Sequence, residues 1–180
     1  MITKIFGSKK IKIKKLSKVD LRNVKKFQDF TNSLIKKNDQ ILINKKFSLK
    51  EEKKWLNGEV KQIKSRKTVD LVAECDDKIV GTTGIDLSKG RQNHVGIFGI
   101  TIRNGYRGIG LGKYLMKEII KLAKKELKPK PKIIRLSVFP INKPAISFYK
   151  KFGFKRVAKI PKQIQYKGKL LDEIIMLLEL

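Results

Sequence analysis

The stretch that decides the fold is Ile100-Thr-Ile-Arg-Asn-Gly-Tyr-Arg107-Gly-Ile-Gly-Leu-Gly112-Lys-Tyr-Leu-Met116. It begins as a β-branched strand and ends in an amphipathic helix, with glycines at every second position from Gly108 to Gly112. A helix N-terminus presents unpaired N–H groups and the positive end of a dipole, and glycine lets an anion approach them closely. The spacing matches neither the phosphate loop of nucleotide hydrolases nor the Gly-x-Gly-x-x-Gly dinucleotide fingerprint. We therefore predict a phosphate or pyrophosphate site at this turn.

A second informative stretch, Leu136 to Phe154, reads Leu-Ser-Val-Phe-Pro-Ile-Asn-Lys-Pro-Ala-Ile-Ser-Phe-Tyr-Lys-Lys-Phe-Gly-Phe. Its pattern predicts the end of a buried strand, a short helix near Lys143 to Lys151 and a turn at Gly153. Asn142 stands directly before this helix, where an N-cap residue is expected.

The remaining elements predict a fold of the α/β class in the broad sense, with the mixed sheet of an α+β protein. Asp20 is expected to cap a first helix that continues to Ile35, and Ser48-Leu-Lys-Glu51 forms a capping box for a second helix through Ile63. The element order β-α-α-β-β-β-α-β-α-β-β excludes a regular parallel alternation. Without a linker or repeat, residues 1–180 are expected to form one domain. The predicted strands are 11–16, 69–74, 78–87, 94–102, 133–138, 154–160 and 170–180, and the later helices are 111–127 and 143–151.

Composition restricts the function classes. The net charge is +28, with 37 lysines and 7 arginines, and two explanations stay open: a coding bias, or an anionic partner such as RNA, DNA or an acidic protein. One cysteine and one histidine exclude a structural zinc site and an internal disulfide, so no metal is expected. No apolar run approaches the roughly 20 residues of a membrane span, and no secretory leader is recognisable. We therefore expect a cytoplasmic protein without membrane contact.

Both informative stretches resemble the GNAT superfamily of N-acetyltransferases, of the small bacterial and archaeal type. Arg107-x-x-Gly110-x-Gly112 is similar to the family's Gln/Arg-x-x-Gly-x-Gly/Ala acetyl-CoA motif, and 136–154 resembles its fifth strand and following helix. The segments 94–100 and 168–176 resemble the family more loosely. The resemblance implies the GNAT acyl-CoA N-acyltransferase fold, a central mixed sheet of about six to seven strands flanked by about four helices.

The resemblance implies acetyl-CoA as the co-substrate. Main-chain amides of the glycine turn would bind the CoA pyrophosphate while Arg107 shapes that turn, and the main chain of 100–102 would pair with pantetheine like an added strand. One N–H of this strand would also polarise the thioester carbonyl. Asn142 would contact the cofactor arm, act as a helix cap, or do both. The implied cofactor-binding residues are Ile100, Thr101, Ile102, Arg107, Gly108, Ile109, Gly110, Leu111, Gly112, Lys113, Asn142 and Ala145.

The implied catalytic residues are Tyr149 and His94. Tyr149 would protonate the departing thiolate, although a core aromatic position is the alternative. The strand positions where relatives carry a glutamate base correspond to Gly96 and Ser137, and neither residue is a base of ordinary strength. His94 is expected on the same strand face as Gly96 and could accept the proton. Ordered water, or binding of the neutral amine, is the alternative.

The implied reaction is direct transfer of acetyl to a primary amine in a ternary complex. The acceptor is a protein amine or a small amino compound; polyamines are disfavoured by repulsion from a +28 chain. The alternative function is a non-catalytic module on the same fold that binds nucleic acid or the ribosome through its lysines. A monomer and a homodimer paired through 170–180 are both consistent with the sequence.

Overall fold

The protein, described by a computed structural model for residues 1–37 and 39–180, is built on one eight-stranded sheet of order β1-β2-β3-β4-β5-β6-β8-β7. Each neighbouring pair is antiparallel except β5 and β6, which are parallel. The strands are β1 Ile2–Phe6, β2 Lys9–Lys15, β3 Thr68–Cys75, β4 Lys78–Leu87, β5 Val95–Ile102, β6 Ile133–Val138, β7 Lys155–Tyr166 and β8 Lys169–Glu179. The helices are α1 Val24–Lys36, α2 Leu49–Lys64, α3 Leu111–Glu126 and α4 Lys143–Lys151.

The predicted mixed α/β sheet is confirmed, with one more strand than expected. The additional strand is β1, which pairs with β2 through a turn at Gly7. Four of its five residues are exposed, so it lacks the alternation of apolar and polar residues by which a half-buried strand is recognised. Tertiary packing stabilises β1 instead, because the Phe6 ring lies edge-on to the Tyr114 ring of α3 with the ring centroids 5.7 Å apart.

Helix α1 begins later than predicted. Residues Lys18–Asn23 form a 3-10 helix, and α1 starts at Val24. The expectation that Asp20 caps α1 is wrong, because its carboxylate accepts a hydrogen bond from the Ser17 amide at 2.9 Å and pairs with Lys14 at 2.7 Å. The capping box of α2 is confirmed: the Ser48 hydroxyl accepts from the Glu51 amide, and the Glu51 carboxylate accepts from the Ser48 amide.

The last hairpin is longer than predicted. Strand β7 continues to Tyr166 and turns at Lys167 and Gly168, both with positive φ. The predicted strand ended at Ile160, directly before Pro161. β7 continues past this proline because it is an edge strand whose register shifts between Ile160 and Ile164, so no hydrogen bond within a central strand is lost.

Helices cover both faces of the sheet. Because strand side chains alternate, Leu71 and Ala73 of β3 pack in the core beneath α3, whereas Val72 between them packs beneath α1 and α2. The α3 side forms the larger core cluster and includes the fully buried Leu115 and Met116. Among the helices of residues 1–37 and 39–180, none has the length and apolar composition that a membrane crossing requires.

Buried Glu52 predicts an unusual pH dependence of stability. Its side chain is 1% exposed on the inner face of α2, and burial raises its pKa to about 7. Unfolded glutamate titrates near 4.3, so the folded protein holds more protons between about pH 4.5 and about pH 7 and loses stability as the pH rises through this range. We expect Glu52→Gln to flatten this decline by about 2 kcal/mol, measured as urea unfolding free energy against pH.

The neighbouring Glu51 provides the opposite control. The Ser48 hydrogen bonds hold the pKa of Glu51 below its ordinary value, so its contribution is present at neutral pH and is lost on acidification. Glu51→Gln should therefore reduce the difference in stability between neutral and acid pH. Identical pH profiles for the wild type and Glu52→Gln would contradict the assignment of the buried proton to Glu52.

Candidate active site

The central feature of the sheet is a gap between β5 and β6. The two strands pair only over Val95–Ile97 and Ile133–Arg135. Beyond Ile97, β5 stays bonded to β4 as far as Ile102, while β6 stays bonded to β8 as far as Val138. The facing edges of the two strands are therefore unpaired with each other, and their backbone groups are available to an extended ligand.

The glycine turn lies at the end of this gap. Gly108 and Gly110 have φ of +79° and +90°, and neither would place a Cβ within 3.5 Å of a neighbouring atom, so the turn is open above its backbone. Arg107 fixes the turn, because its Nε donates to the Ile102 carbonyl at 2.6 Å. The first helical amides of α3, Leu111 to Lys113, have no acceptor within the helix because of their position. The turn is suited to an anion with several oxygen atoms.

Two contacts connect the turn to other parts of the chain. The Arg107 guanidinium pairs with Asp39 at 3.0 Å, which ties the turn to the segment between α1 and α2. The N-terminal hairpin lies over the turn, since a Cβ on Gly7 would stand 3.7 Å from Ile109. Among the sequence-predicted residues here, Lys113 is exposed and Leu111 is fully buried in the core.

Helix α4 borders the gap from the β6 side. The Asn142 side chain accepts a hydrogen bond from the Ala145 amide at 3.2 Å, so the predicted N-cap is confirmed. Tyr149 is 8% exposed, and burial raises its pKa to about 12. Its ring lies edge-on to Phe98, the first β5 residue beyond the paired segment, with centroids 6.2 Å apart. Tyr149 is thus a core aromatic packed against the first β5 residue that is not paired with β6, and its hydroxyl stays protonated at neutral pH.

His94 lies just before β5, at the end of that strand that pairs with β6. β5 begins at Val95, and His94 lies in the preceding turn, where its carbonyl accepts from the Lys132 amide. It is six residues before Ile100, or roughly 20 Å along the strand, at the paired end rather than at the gap. Gly96 faces the hydrophobic core and not the acceptor side of the sheet, because a Cβ there would come 2.6 Å from the buried Ile85 side chain. The predicted start of the strand at His94 is therefore wrong by one residue, and the role of His94 as a base remains a prediction.

A cavity of about 390 Å³ opens where β6 ends. The segment before α2 forms one wall, and the β7–β8 hairpin forms a second wall that the sequence did not predict. That hairpin has no motif, and it reaches the cavity only because β7 and β8 lie next to β6 in the sheet. The lining residues are Ile35, Asp39, Ile41, Leu42, Ile43, Asn44, Phe139, Gln163, Ile164, Gln165, Tyr166, Lys167 and Gly168.

Carboxyl groups gather on the sheet face that α2 covers. Burial, then the charge of Asp86, raises the pKa of Glu59 to about 7, although a hydrogen bond from Asp70 opposes this. Burial and the charges of Asp86 and Glu59 raise the pKa of Asp70 well above its ordinary value, and burial raises that of Asp86. Asp86 pairs with Ile97, which is 40% exposed, so this acidic face borders the gap.

Comparisons with known proteins agree with this geometry. Residues 38–154 match the model of the Acetyltransferase (GNAT) family. Over 107 residues the chain is 35% identical to L-amino acid N-acetyltransferase AaaT of Escherichia coli K12, a match that covers 59% of this chain and 65% of that protein.

Two solved structures are similar in fold. An acetyltransferase of GNAT family from Streptococcus pneumoniae superposes with a TM-score of 0.81 at 23% identity, over 94% of this chain and 99% of the other. The structure of yncA from Salmonella typhimurium with its cofactor acetyl-CoA gives 0.77 at 17% identity, over 94% and 93%. The open strand pair, the glycine turn and the family match lead to one conclusion: this chain belongs to the acetyltransferase (GNAT) family.

Proposed function

We propose that the protein is an acetyl-CoA-dependent N-acetyltransferase that moves acetyl directly to a primary amine in a ternary complex. One observation carries the proposal: the unpaired edge of β5 leads straight into an open glycine turn at the N-terminus of α3. A linear ligand with an amide-containing arm and a pyrophosphate needs these two features in this order. Family membership is the independent support.

The chain's own groups fit the parts of acetyl-CoA. The amides from Gly108 to Lys113 would bind the pyrophosphate, with the Lys113 side chain adding positive charge. The backbone of 100–102 would pair with the pantetheine amides. The Asn142 oxygen already caps α4 with Ala145, which leaves its Nδ2 group to donate to the cofactor arm.

The chemistry follows from this arrangement. An amine nitrogen attacks the thioester carbon, a C–N bond forms, and the C–S bond breaks with release of the CoA thiolate. A β5 backbone N–H would stabilise the negative oxygen of the tetrahedral intermediate. Tyr149, protonated at neutral pH because its pKa is raised to about 12, would donate its proton to the thiolate.

We propose a small amino compound with a carboxylate, such as an L-amino acid, as the first acceptor class to test. The cavity at the end of β6, about 390 Å³ in volume, has the size of a small-molecule site. The 35% identical relative is named for L-amino acids. A carboxylate would be attracted by a chain of net charge +28, and Arg135 of β6 is the one basic residue within β5 and β6 that would oppose the acceptor's ammonium group.

Calorimetric titration with acetyl-CoA and with free CoA, at low and moderate salt, tests the first part. We expect micromolar dissociation constants for both, because the pyrophosphate contacts are shared. Thiol release with a panel of L-amino acids, N-terminal peptides and polyamines then ranks the acceptors. Failure to bind either CoA compound would overturn the proposal, and strong salt-dependent RNA binding in its place would favour the nucleic-acid module.

A further inference from the structure

Glu173 of β8 and Ser137 of β6 form a hydrogen-bonded pair beside the gap. The Ser137 hydroxyl donates to the Glu173 Oε1 atom. Ser137 lies two residues beyond Arg135, the last β6 residue paired with β5. The carboxylate is therefore held at the position where the unpaired edges of β5 and β6 begin to face each other.

The same carboxylate lies on the side of the sheet where the cavity opens. Ile164 lines the cavity and pairs with Leu171 of β8. Glu173 is two residues further along β8, so its side chain lies on the same face as Leu171. Phe139, another lining residue, follows Ser137 by two positions. Glu173 thus stands between the cavity proposed for the acceptor and the gap proposed for the thioester.

Among the residues that the structure describes, Glu173 forms no ion pair, although the chain has 44 basic residues. Within residues 1–37 and 39–180 no ion pair reaches it, whereas its neighbour Asp172 pairs with Lys159 at 2.7 Å and accepts from the Lys162 amide. Asp172 points to the opposite side of β8 because side chains alternate. A carboxylate held by a hydroxyl and left without a cation can receive a proton from an approaching ammonium group.

We infer that Glu173 is the general base of the proposed transfer and that Ser137 is its positioning residue. This inference rests on the proposed function. The acceptor's ammonium group gives one proton to the Glu173 carboxylate, and the resulting neutral amine attacks the thioester carbon. The C–S bond breaks as the C–N bond forms, the thiolate takes a proton, and the amide nitrogen loses its second proton. Overall, an ammonium ion and acetyl-CoA yield an N-acetyl amine, CoA thiol and one proton.

The test compares Glu173→Gln with the wild type, using the best L-amino acid of the panel as acceptor. We expect kcat to fall about 100-fold, at the lower end of general-base effects, while the calorimetric dissociation constant for acetyl-CoA stays unchanged. Glu179→Gln, on the same strand but exposed at its end, is the matched control and should behave like the wild type.

Hydroxylamine separates a base from a structural role, because it is largely neutral at neutral pH and needs no proton removed before attack. With this acceptor, we expect Glu173→Gln to retain activity within about tenfold of the wild type. Ser137→Ala should lower kcat without changing the KM for acetyl-CoA, and Ser137→Thr should restore it. Because Ser137 is exposed, we expect both variants to fold like the wild type.

The outcomes separate the two proposals. A wild-type protein that binds no acetyl-CoA, or acetylates no amine of the panel, overturns the proposed function. An active wild type with an equally active Glu173→Gln overturns only the base assignment. An equal loss with L-amino acid and hydroxylamine would also overturn it, since a structural defect affects both acceptors alike. If His94→Gln rather than Glu173→Gln shows the selective loss, His94 is the base.

Discussion

Replacing Gly110 with valine is expected to weaken acetyl-CoA binding on the order of 1000-fold. Gly110 has φ of +90° at the start of α3, a conformation that a β-branched residue avoids. Valine would force the turn to change shape and would place carbon atoms among the amides proposed to bind pyrophosphate. Losing two charge-assisted hydrogen bonds at about 2 kcal/mol each accounts for this factor. The dissociation constant is measured by calorimetry.

Gly90 offers a control for backbone strain alone. It too has a positive φ, +59°, and a Cβ there would meet no atom within 4 Å. It lies before β5, at the end of that strand away from the glycine turn. Gly90→Val should therefore lower stability without changing acetyl-CoA affinity. Unchanged affinity in a folded Gly110→Val protein would show that the pyrophosphate binds elsewhere.

Replacing Gly96 with valine is expected to lower the free energy of unfolding by about 3 kcal/mol. A Cβ at Gly96 would lie 2.6 Å from Ile85 and 3.0 Å from Ile134, and both isoleucines are completely buried. Branched side chains in a dense core have little room to move. To relieve this steric clash, β5 and β6 would have to separate over the segment in which they pair. Urea unfolding measures the effect.

Gly99 is the matched control, because it lies on the same strand and a Cβ there would meet no atom within 4 Å. Gly99→Val should change the unfolding free energy by less than about 0.5 kcal/mol, since valine also favours extended backbone. Equal destabilisation by the two substitutions would mean that glycine is required for backbone reasons throughout β5, and not for packing at Gly96.

Local signals explain why much of the fold was predictable. The Ser48–Glu51 capping box, the strands at 69–74 and 78–87 and the helical periodicity after Gly112 each depend on neighbouring residues, and the structure contains all of these elements. β1 was missed because its face is exposed, and the start of α1 was misplaced because Asp20 is used by Ser17 and Lys14. The Phe6–Tyr114 contact of β1 depends on residues brought close by folding, whereas Lys14, Ser17 and Asp20 are near each other in sequence and compete locally for the capping carboxylate.

The sequence by itself determined the glycine turn, the order of the elements and membership in a family, because backbone geometry and helix ends are local properties that a short motif specifies. Only the tertiary structure decided which side chains share a space. It placed His94 at the paired end of β5, turned Gly96 into the core, and brought Glu173 to Ser137 across 36 positions of sequence. The order of strands in the sheet determines which residues become neighbours, because β8 pairs with β6 as well as with β7, the strand that precedes it in the chain.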